Sequence, residues 1–403
     1  EYTPDVANTY HSMGCVYLQS KQQNVNRQAH HHEEALKAFN RAVCIRRGVL
    51  CRDHPTVADS LMKAGIVQLK LNSNNYDDAL HSFRDALTIR KNGVGELHPL
   101  TGNVFNNVGC VYLKRNELSL ARQAFESALD IQRSGLACLV VKDSNNNNDI
   151  SRANNNEQLT KQYRDMKLSV ATILCNLGHL YTVQRMYGRC SVVLTEAVPL
   201  LVELWGENHR RVLVTFYSLA YAELKQNHNK QALDLFTAVI TRLEQPFAAM
   251  TTTRSSTLSV SSSSSSISLL STLPCYNDDF FNAHDSAIKA DATSATQGTT
   301  ISAEKSDYQR VLILERVSKM LMNQRDYESS LNKLQMAMSI LKSRLDLRSS
   351  RRAHDSMRDD SDFKTINLEE TLLERISLQL ATVKERQSDF AATSAHENGM
   401  DWL

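Results

Sequence analysis

One pattern recurs along the chain at a fixed phase and limits the folds that the chain can adopt. A Gly or another small residue is followed three residues later by an aromatic residue or Leu, and twelve residues later by Ala. The clearest copy contains Gly109, Tyr112, Ala121, Phe125 and Ala128. Because apolar residues three, four and seven apart share one face of an α-helix, each copy predicts a pair of helices that pack against each other.

The copies recur with a period of 42 residues. Gly178 and Ala220 are 42 residues apart, whereas Gly65 and Gly109 are 44 apart because the repeat of Gly65 contains two additional residues. Further copies begin at Gly14 and, in a degenerate form, at Ser318. Agreement between separate intervals predicts an all-α fold, in which helix pairs stack into a solenoid with disordered low-complexity insertions.

Short signals mark the joints between successive helix pairs. The segment 95–99 (Gly-Glu-Leu-His-Pro) places Gly at the end of one helix and Pro at the start of the next. His54 and Pro55 repeat this arrangement one repeat earlier. The segment 206–209 keeps the Gly and the His, but Arg210 stands where Pro is expected.

These motifs resemble the tetratricopeptide repeat, and the 42-residue length with its His-Pro joint is similar to the longer repeat of kinesin light chains. The resemblance covers residues 1–245 well and residues 306–345 weakly. It implies a right-handed α-solenoid of antiparallel helix pairs, whose concave groove is lined by the first helix of each pair. It is much less specific for motor-protein function, because many unrelated proteins carry this longer repeat.

The repeats and the low-complexity stretches together predict the domain organisation. Insertions near 21–33 and 142–160, rich in polar residues, are expected to form disordered or loosely held loops because they cannot bury enough apolar surface. The predicted segments are a five-repeat solenoid (1–245), a Ser/Thr-rich linker (246–305), a degenerate sixth repeat (306–345), a charged linker (346–364), a terminal capping helix (365–392) and a tail (393–403).

Composition limits the partners and the compartment. The net charge of +2 gives the chain no general attraction for nucleic acid or for an anionic membrane, and no apolar stretch approaches the ~20 residues of a membrane span. The eight cysteines form no Cys-x-x-Cys motif, and most fall on predicted apolar helical positions. We therefore expect buried thiols in a reducing compartment, the cytoplasm. The chain begins at Glu1 rather than Met, which leaves open that it is a fragment.

The sequence contains no recognisable catalytic set. A phosphate-binding Gly-x-x-x-x-Gly-Lys-Ser/Thr loop, a Gly-x-Ser-x-Gly motif and a His-Glu-x-x-His motif are all missing from the sequence. His30, His31 and His32 are adjacent, and adjacent side chains point in different directions on a helix, so we expect no metal site there. The chain is accordingly predicted to be no enzyme and to bind no cofactor.

The resemblance implies a peptide-binding groove. In the resembling family, a residue two positions before the small residue often holds the backbone of a peptide ligand, and here Asn107 and Asn176 occupy that position in the two central repeats. A Lys five positions after the small residue, in three repeats, favours acidic or carboxylate-terminated peptides. The candidate groove residues are Asn106, Asn107, Asn176, His179, Tyr217, Tyr221, Lys70, Lys114 and Lys225. Substituting both Asn107 and Asn176 by Ala is expected to weaken peptide binding without changing the melting temperature.

Two functions remain open from the sequence. The first is a protein-interaction scaffold or adaptor that binds a peptide or partner helix in the groove, of which a cargo adaptor similar to kinesin light chain is one version. The second is the regulatory or targeting region of a larger enzyme or signalling protein whose catalytic domain lies outside this chain. A weaker third reading is a scaffold that assembles through its end repeats. The oligomeric state is not determined by the sequence.

Overall fold

The computed structural model of the protein describes residues 3–20, 25–71, 76–145, 152–244, 298–352 and 360–400. These residues form α-helices joined by short turns, and none of them lies in a β-strand. No helix among them is both long and apolar enough to cross a membrane. The helices are α1 (Pro4–Gln19), α2 (Val25–Val49), α3 (Pro55–Lys70), α4 (Asp77–Val94), α5 (Pro99–Lys114), α6 (Leu118–Asn145), α7 (Arg152–Val183), α8 (Tyr187–Trp205), α9 (Arg210–Lys225), α10 (Asn229–Glu244), α11 (Gly298–Asn323), α12 (Tyr327–Arg352) and α13 (Asp360–Met400).

The described helices belong to two compact units. The first unit extends to Ala222 and the second begins at Glu223, so the division falls within α9. In the first unit, α1 packs on α2, α3 on α4, α5 on α6 and α7 on α8, and α2, α4 and α6 also contact the first helix of the next pair. This is the serial packing of an α-solenoid, as the repeat predicts. The domain boundary that the sequence places at residue 245 stays a prediction.

A large side chain packs against a glycine within each of the four helix pairs α1–α2, α3–α4, α5–α6 and α7–α8. Phe125 of α6 is fully buried and lies against Gly109 of α5, so closely that a Cβ atom on that glycine would lie 2.6 Å from the ring. Phe83 has the same relation to Gly65, where a Cβ atom would lie 2.7 Å from the ring. The glycines therefore set the distance between the two helices of a pair, because any side chain there would occupy the space of the ring.

Four of the turns inside the helix pairs share one backbone conformation. Asn116, which joins α5 to α6, has a φ of 61°, in the left-handed region, and the N–H of the next residue donates to the carbonyl of Tyr112 at 2.9 Å. This helix-ending arrangement satisfies a carbonyl that the helix leaves without an internal partner. The left-handed φ occurs seven positions after the small residue in four repeats, at Asn116, Arg185, Asn227 and Arg325.

The structure shortens two of the predicted insertions. Helix α2 already begins at Val25, and the Asn-rich stretch is helical up to Asn145 and again from Arg152. Beyond the predicted insertion, Arg164 of α7 donates to the carbonyl of Leu204 at the end of α8 at 3.2 Å. Residues 146–151 and most of the Ser/Thr-rich linker (245–297) lie outside the described residues.

In the second unit, α13 packs against α12, which packs against α11. The apolar side chains of Leu372, Ile376 and Val383 on α13 are buried, at the spacing of one helix face. At the start of this helix, Glu369 forms a buried ion pair with Arg344 of α12, with Nη2 and Oε1 2.5 Å apart. Helix α13 includes the predicted capping segment and continues beyond it to Met400.

The cysteines only partly follow the expectation of burial. Among the described residues, Cys175 and Cys190 are buried free thiols, whereas Cys44, Cys51 and Cys138 are exposed. The exposed cysteines lie on or just after second helices, which have one solvent-facing side because their partners are all first helices. The sequence prediction was therefore too general, since the apolar character of Cys does not identify the face of the helix on which it lies.

Candidate functional site

The first helices of successive pairs lie next to one another in the first unit. Helix α3 contacts both α1 and α5, and α5 also contacts α7, in addition to the second helices between them. Side chains at equivalent repeat positions on α1, α3, α5, α7 and the part of α9 up to Ala222 therefore form rows. We call this row-forming surface the first-helix face. It contains all the predicted groove residues except Lys225, which belongs to the second unit.

The three predicted asparagines come together on this face and are fully buried. The Nδ2 of Asn176 on α7 donates to the Oδ1 of Asn106 on α5 at 2.8 Å, and the Nδ2 of Asn106 lies 3.3 Å from the Oδ1 of Asn107. The same Nδ2 of Asn176 lies 3.8 Å from the sulfur of Cys110. A buried hydrogen bond between side-chain amides of neighbouring repeats stabilises the folded chain, whichever ligand the face binds.

This geometry changes the expected result of substituting these asparagines. Replacing Asn176 by Ala removes the hydrogen bond between α5 and α7 and is expected to lower the free energy of unfolding by about 1–2 kcal/mol. The sequence alone predicts an unchanged melting temperature. Thermal melts of the full chain followed by circular dichroism measure the difference, with Asn92→Ala on the exposed side of α4 as the control. Equal melting temperatures for both variants would contradict a structural role for Asn176.

Further polar contacts join successive first helices at sites that the sequence analysis did not identify. The Nδ1 of His11 on α1 lies 3.1 Å from the hydroxyl of Ser60 on α3, and Cys175 of α7 lies 3.7 Å from the hydroxyl of Thr215 on α9. Burial, reinforced by the charges of Arg46 and Lys63, lowers the pKa of His11 to about 4, so this ring is neutral at pH 7. The sequence contains a signal that could have predicted these contacts. In each pair, one residue lies three positions before the small residue of its repeat, and its partner lies five positions before the small residue of the next repeat.

The predicted aromatic residues and histidine have different degrees of exposure. Tyr217 is buried, with 1% of its surface exposed, whereas Tyr221 is half-buried and its ring lies 6.1 Å from that of Tyr187 in an edge-to-face arrangement. His179 is also half-buried. Burial, followed by the charge of Lys114, lowers the pKa of His179 to about 4, so its ring is a neutral hydrogen-bonding group at pH 7.

The predicted lysines are exposed at helix ends. Lys70 and Lys114 are the last residues of α3 and α5, two neighbouring first helices, and both side chains are exposed. Their positions place two positive charges at equivalent points along the first-helix face of the first unit. Lys225 is likewise exposed at the end of α9, in the second unit.

The triple histidine lies on the second helix α2. The rings of His30 and His31 are 6.5 Å apart and nearly perpendicular, and His31 packs edge-on against Tyr17. The Nε2 of His32 lies 2.9 Å from the side-chain amide of Gln28. Within the part of the chain that the structure describes, no group of three or more His, Cys, Asp or Glu side chains could hold a metal ion.

Comparison with known families agrees with this architecture. The sequence profile of the tetratricopeptide repeat matches residues 69–134, which span the end of α3, all of α4 and α5 and much of α6. This match shows tetratricopeptide repeats in residues 69–134, and the helix pairs on either side keep the same 42-residue period. No curated protein sequence matches the chain.

Solved structures with similar folds include other repeat proteins. The tetratricopeptide-like repeats of a putative kinesin light chain from Podosopora anserina are 15% identical, cover 60% of this chain and 96% of their own, and give a TM-score of 0.41. BtubC (BKLC) from P. vanneervenii is 13% identical, covers 84% of this chain and 95% of its own, and gives a TM-score of 0.44. The assembly chaperone of RpL4 (Acl4) is 13% identical, covers 96% of this chain and 99% of its own, and gives a TM-score of 0.46.

Proposed function

We propose that this chain is a non-catalytic interaction scaffold that holds an extended peptide or a partner helix against its first-helix face. The observation that carries the proposal is the alignment of α3, α5 and α7, which puts polar side chains of successive repeats into rows. Extended peptides are recognised by such rows through main-chain hydrogen bonds and by side-chain pockets at regular spacing. Each contact is weak, and affinity accumulates over several repeats.

The ligand of this face is proposed to be acidic or to end in a free carboxylate. Lys70 and Lys114 are exposed at equivalent ends of neighbouring first helices. Positive charges at the edge of a binding face increase the rate of encounter with a negative partner and exclude positive ones. Tyr221 and His179, both half-buried on the same face, supply adjacent apolar and hydrogen-bonding surface.

A cargo adaptor similar to kinesin light chain is one form of this proposal, and it depends on the resemblance of the repeat. The proposed setting is the cytoplasm. Cys44, Cys51 and Cys138 are exposed free thiols, which a reducing compartment protects from oxidation. The proposed class of function, a binding scaffold, does not depend on either of these finer points.

Charge reversal provides the test. We expect selection of a displayed peptide library on the full chain to enrich acidic sequences. The Lys70→Glu/Lys114→Glu variant should bind the enriched peptide at least about tenfold more weakly at low salt, because two attractions become repulsions. Fluorescence anisotropy at several salt concentrations measures the affinity. The matched control is Lys37→Glu/Lys230→Glu, which reverses two exposed lysines on second helices.

The outcomes separate the alternatives. Weaker binding by the first-helix variant alone supports an acidic ligand on that face. Equal loss in both variants would show a general charge effect and would sink the proposed location. If no peptide is enriched by the folded wild-type chain, the extended-peptide proposal is wrong, and a folded partner or a tethering role within a larger protein becomes the better account.

A further inference from the structure

Three first helices of the first unit begin with a histidine that caps the helix through its side chain. In each case the ring Nδ1 accepts a hydrogen bond from the backbone N–H two residues later, one of the N–H groups that an α-helix leaves without an internal partner. The pairs are His54 with Thr56 at 3.3 Å, His98 with Leu100 at 3.1 Å and His209 with Arg211 at 3.2 Å. Helix α1 starts differently, with Thr3 as its cap.

A histidine cap depends on the protonation state of the ring. Nδ1 can accept a hydrogen bond only when it carries no proton, so the proton of the neutral ring must be on Nε2. Adding a second proton converts Nδ1 into a donor, so the N–H at the helix start loses its acceptor. At His54 the hydroxyl of Thr56 lies 2.8 Å from the same Nδ1 and can accept from the protonated ring, but the N–H of Thr56 is still left without its cap. The new positive charge also lies at the N-terminus of a helix, where the dipole disfavours it. A Thr, Asn or Asp cap has no such sensitivity near neutral pH.

We propose that His54, His98 and His209 make the starts of α3, α5 and α9 sensitive to pH, because each of these helices loses its cap when the ring takes up a second proton. Because protonation is disfavoured in the folded state, the contribution of the caps to stability is complete above the titration range of histidine. It is lost as acid protonates the rings. The inference concerns helix starts and is independent of any ligand on the first-helix face.

Charged groups lie around the first two caps. Arg46 of α2 donates to the carbonyl of Thr56 at 2.7 Å, and Asp59 on α3 is already paired with Arg90 of α4. At the second cap, burial and then the charge of Arg90 lower the pKa of His98. The one acidic group that accompanies this turn, Glu96, is paired with Lys91.

The third cap lies in the joint that has lost its Pro. The ring of His209 packs 4.2 Å from that of Trp205, and the guanidinium of Arg211 lies 4.6 Å from the same indole. Arg164 of α7 donates to the carbonyl of Leu204, the residue before Trp205, and Glu207 lies within the turn. A protonated His209 would share the indole of Trp205 with the guanidinium of Arg211.

Asparagine substitutions test the proposal directly, because Asn is a strong cap that does not titrate. The triple variant His54→Asn/His98→Asn/His209→Asn of the full chain is compared with wild type at pH 7.5 and pH 5.5 by thermal melting. We expect the wild-type melting temperature to fall by about 5 °C more than that of the triple variant over this range. His81→Asn is the control, since that side chain is 79% exposed on α4 and caps no helix.

Amide hydrogen exchange provides a local readout that does not depend on overall stability. In wild type, the amides of Thr56, Leu100 and Arg211 should lose protection between pH 7.5 and pH 5.5, after correction for the intrinsic rate, and in the triple variant they should keep it. Unchanged protection of these amides in wild type would overturn the proposal. So would a triple variant whose melting temperature falls with pH as steeply as that of His81→Asn.

Discussion

Replacing Phe125 with Ala is expected to destabilise the first unit by about 3–5 kcal/mol, the largest effect of any single truncation considered. The ring is fully buried and fills the space that Gly109 leaves between α5 and α6. Truncation leaves a cavity between two helices that keep their other contacts, so the site can collapse only in part. Urea unfolding of the full chain, followed by circular dichroism, measures the loss.

The converse substitution tests whether glycine and ring are matched in size. Gly109→Ala places a Cβ atom 2.6 Å from the Phe125 ring and should be strongly destabilising alone. Combined with Phe125→Ala, it should cost much less, because the clash disappears. Gly93→Ala is the control: a Cβ atom there meets no atom within 4 Å, and the change should stabilise α4 by up to about 1 kcal/mol. Additive effects at the first two positions would contradict the size match.

Breaking the buried ion pair of the second unit is the other substitution with a large expected effect. Arg344→Met should lower the free energy of unfolding of that unit by about 3–5 kcal/mol, because the carboxylate of Glu369 stays buried after its cation is removed. The two side chains are only 7% and 1% exposed. Since Glu369 lies in the first part of α13, hydrogen exchange should show loss of protection in α13 before the rest of the unit.

The double variant Arg344→Met/Glu369→Leu separates the charge from the packing. Replacing both partners removes the buried charge and should restore most of the stability lost in the single variant. The exposed pair of Lys37 and Glu34 on α2 is the control, where Lys37→Met should change stability by less than about 0.5 kcal/mol. A single Arg344→Met variant as stable as wild type would show that the pair does not hold α13 in place.

The features that could be read from the sequence are those that each repeat contains within itself. Gly109 and Phe125 belong to one helix pair, so their spacing in the sequence predicts their contact. The His-Pro joints are equally local, because a cap and the helix that it starts are adjacent in the chain. For this reason the helix pairs, their order and the tetratricopeptide class follow from the residues alone.

The features that could not be read depend on contacts between repeats or on strained backbone. The bond between Asn106 and Asn176 joins residues 70 positions apart, and its partners sit at different positions within their repeats. Arg185 adopts a left-handed φ of 57° that its residue type does not favour, since the closing of the helix pair requires it.

The match between glycine and ring has a consequence for how such a chain can be altered. Because the two residues that fix the helix separation lie in the middle of their helices, the length of the connection between the helices hardly affects the contact. The connection between α3 and α4 has six residues and that between α5 and α6 has three, yet both pairs keep the same close approach. Lengthening a flexible connection costs only about 0.6 kcal/mol for each doubling. The intra-repeat turns are therefore the natural entry points for a genetically encoded reporter, and equally the places where a genome can lengthen this protein without unfolding it.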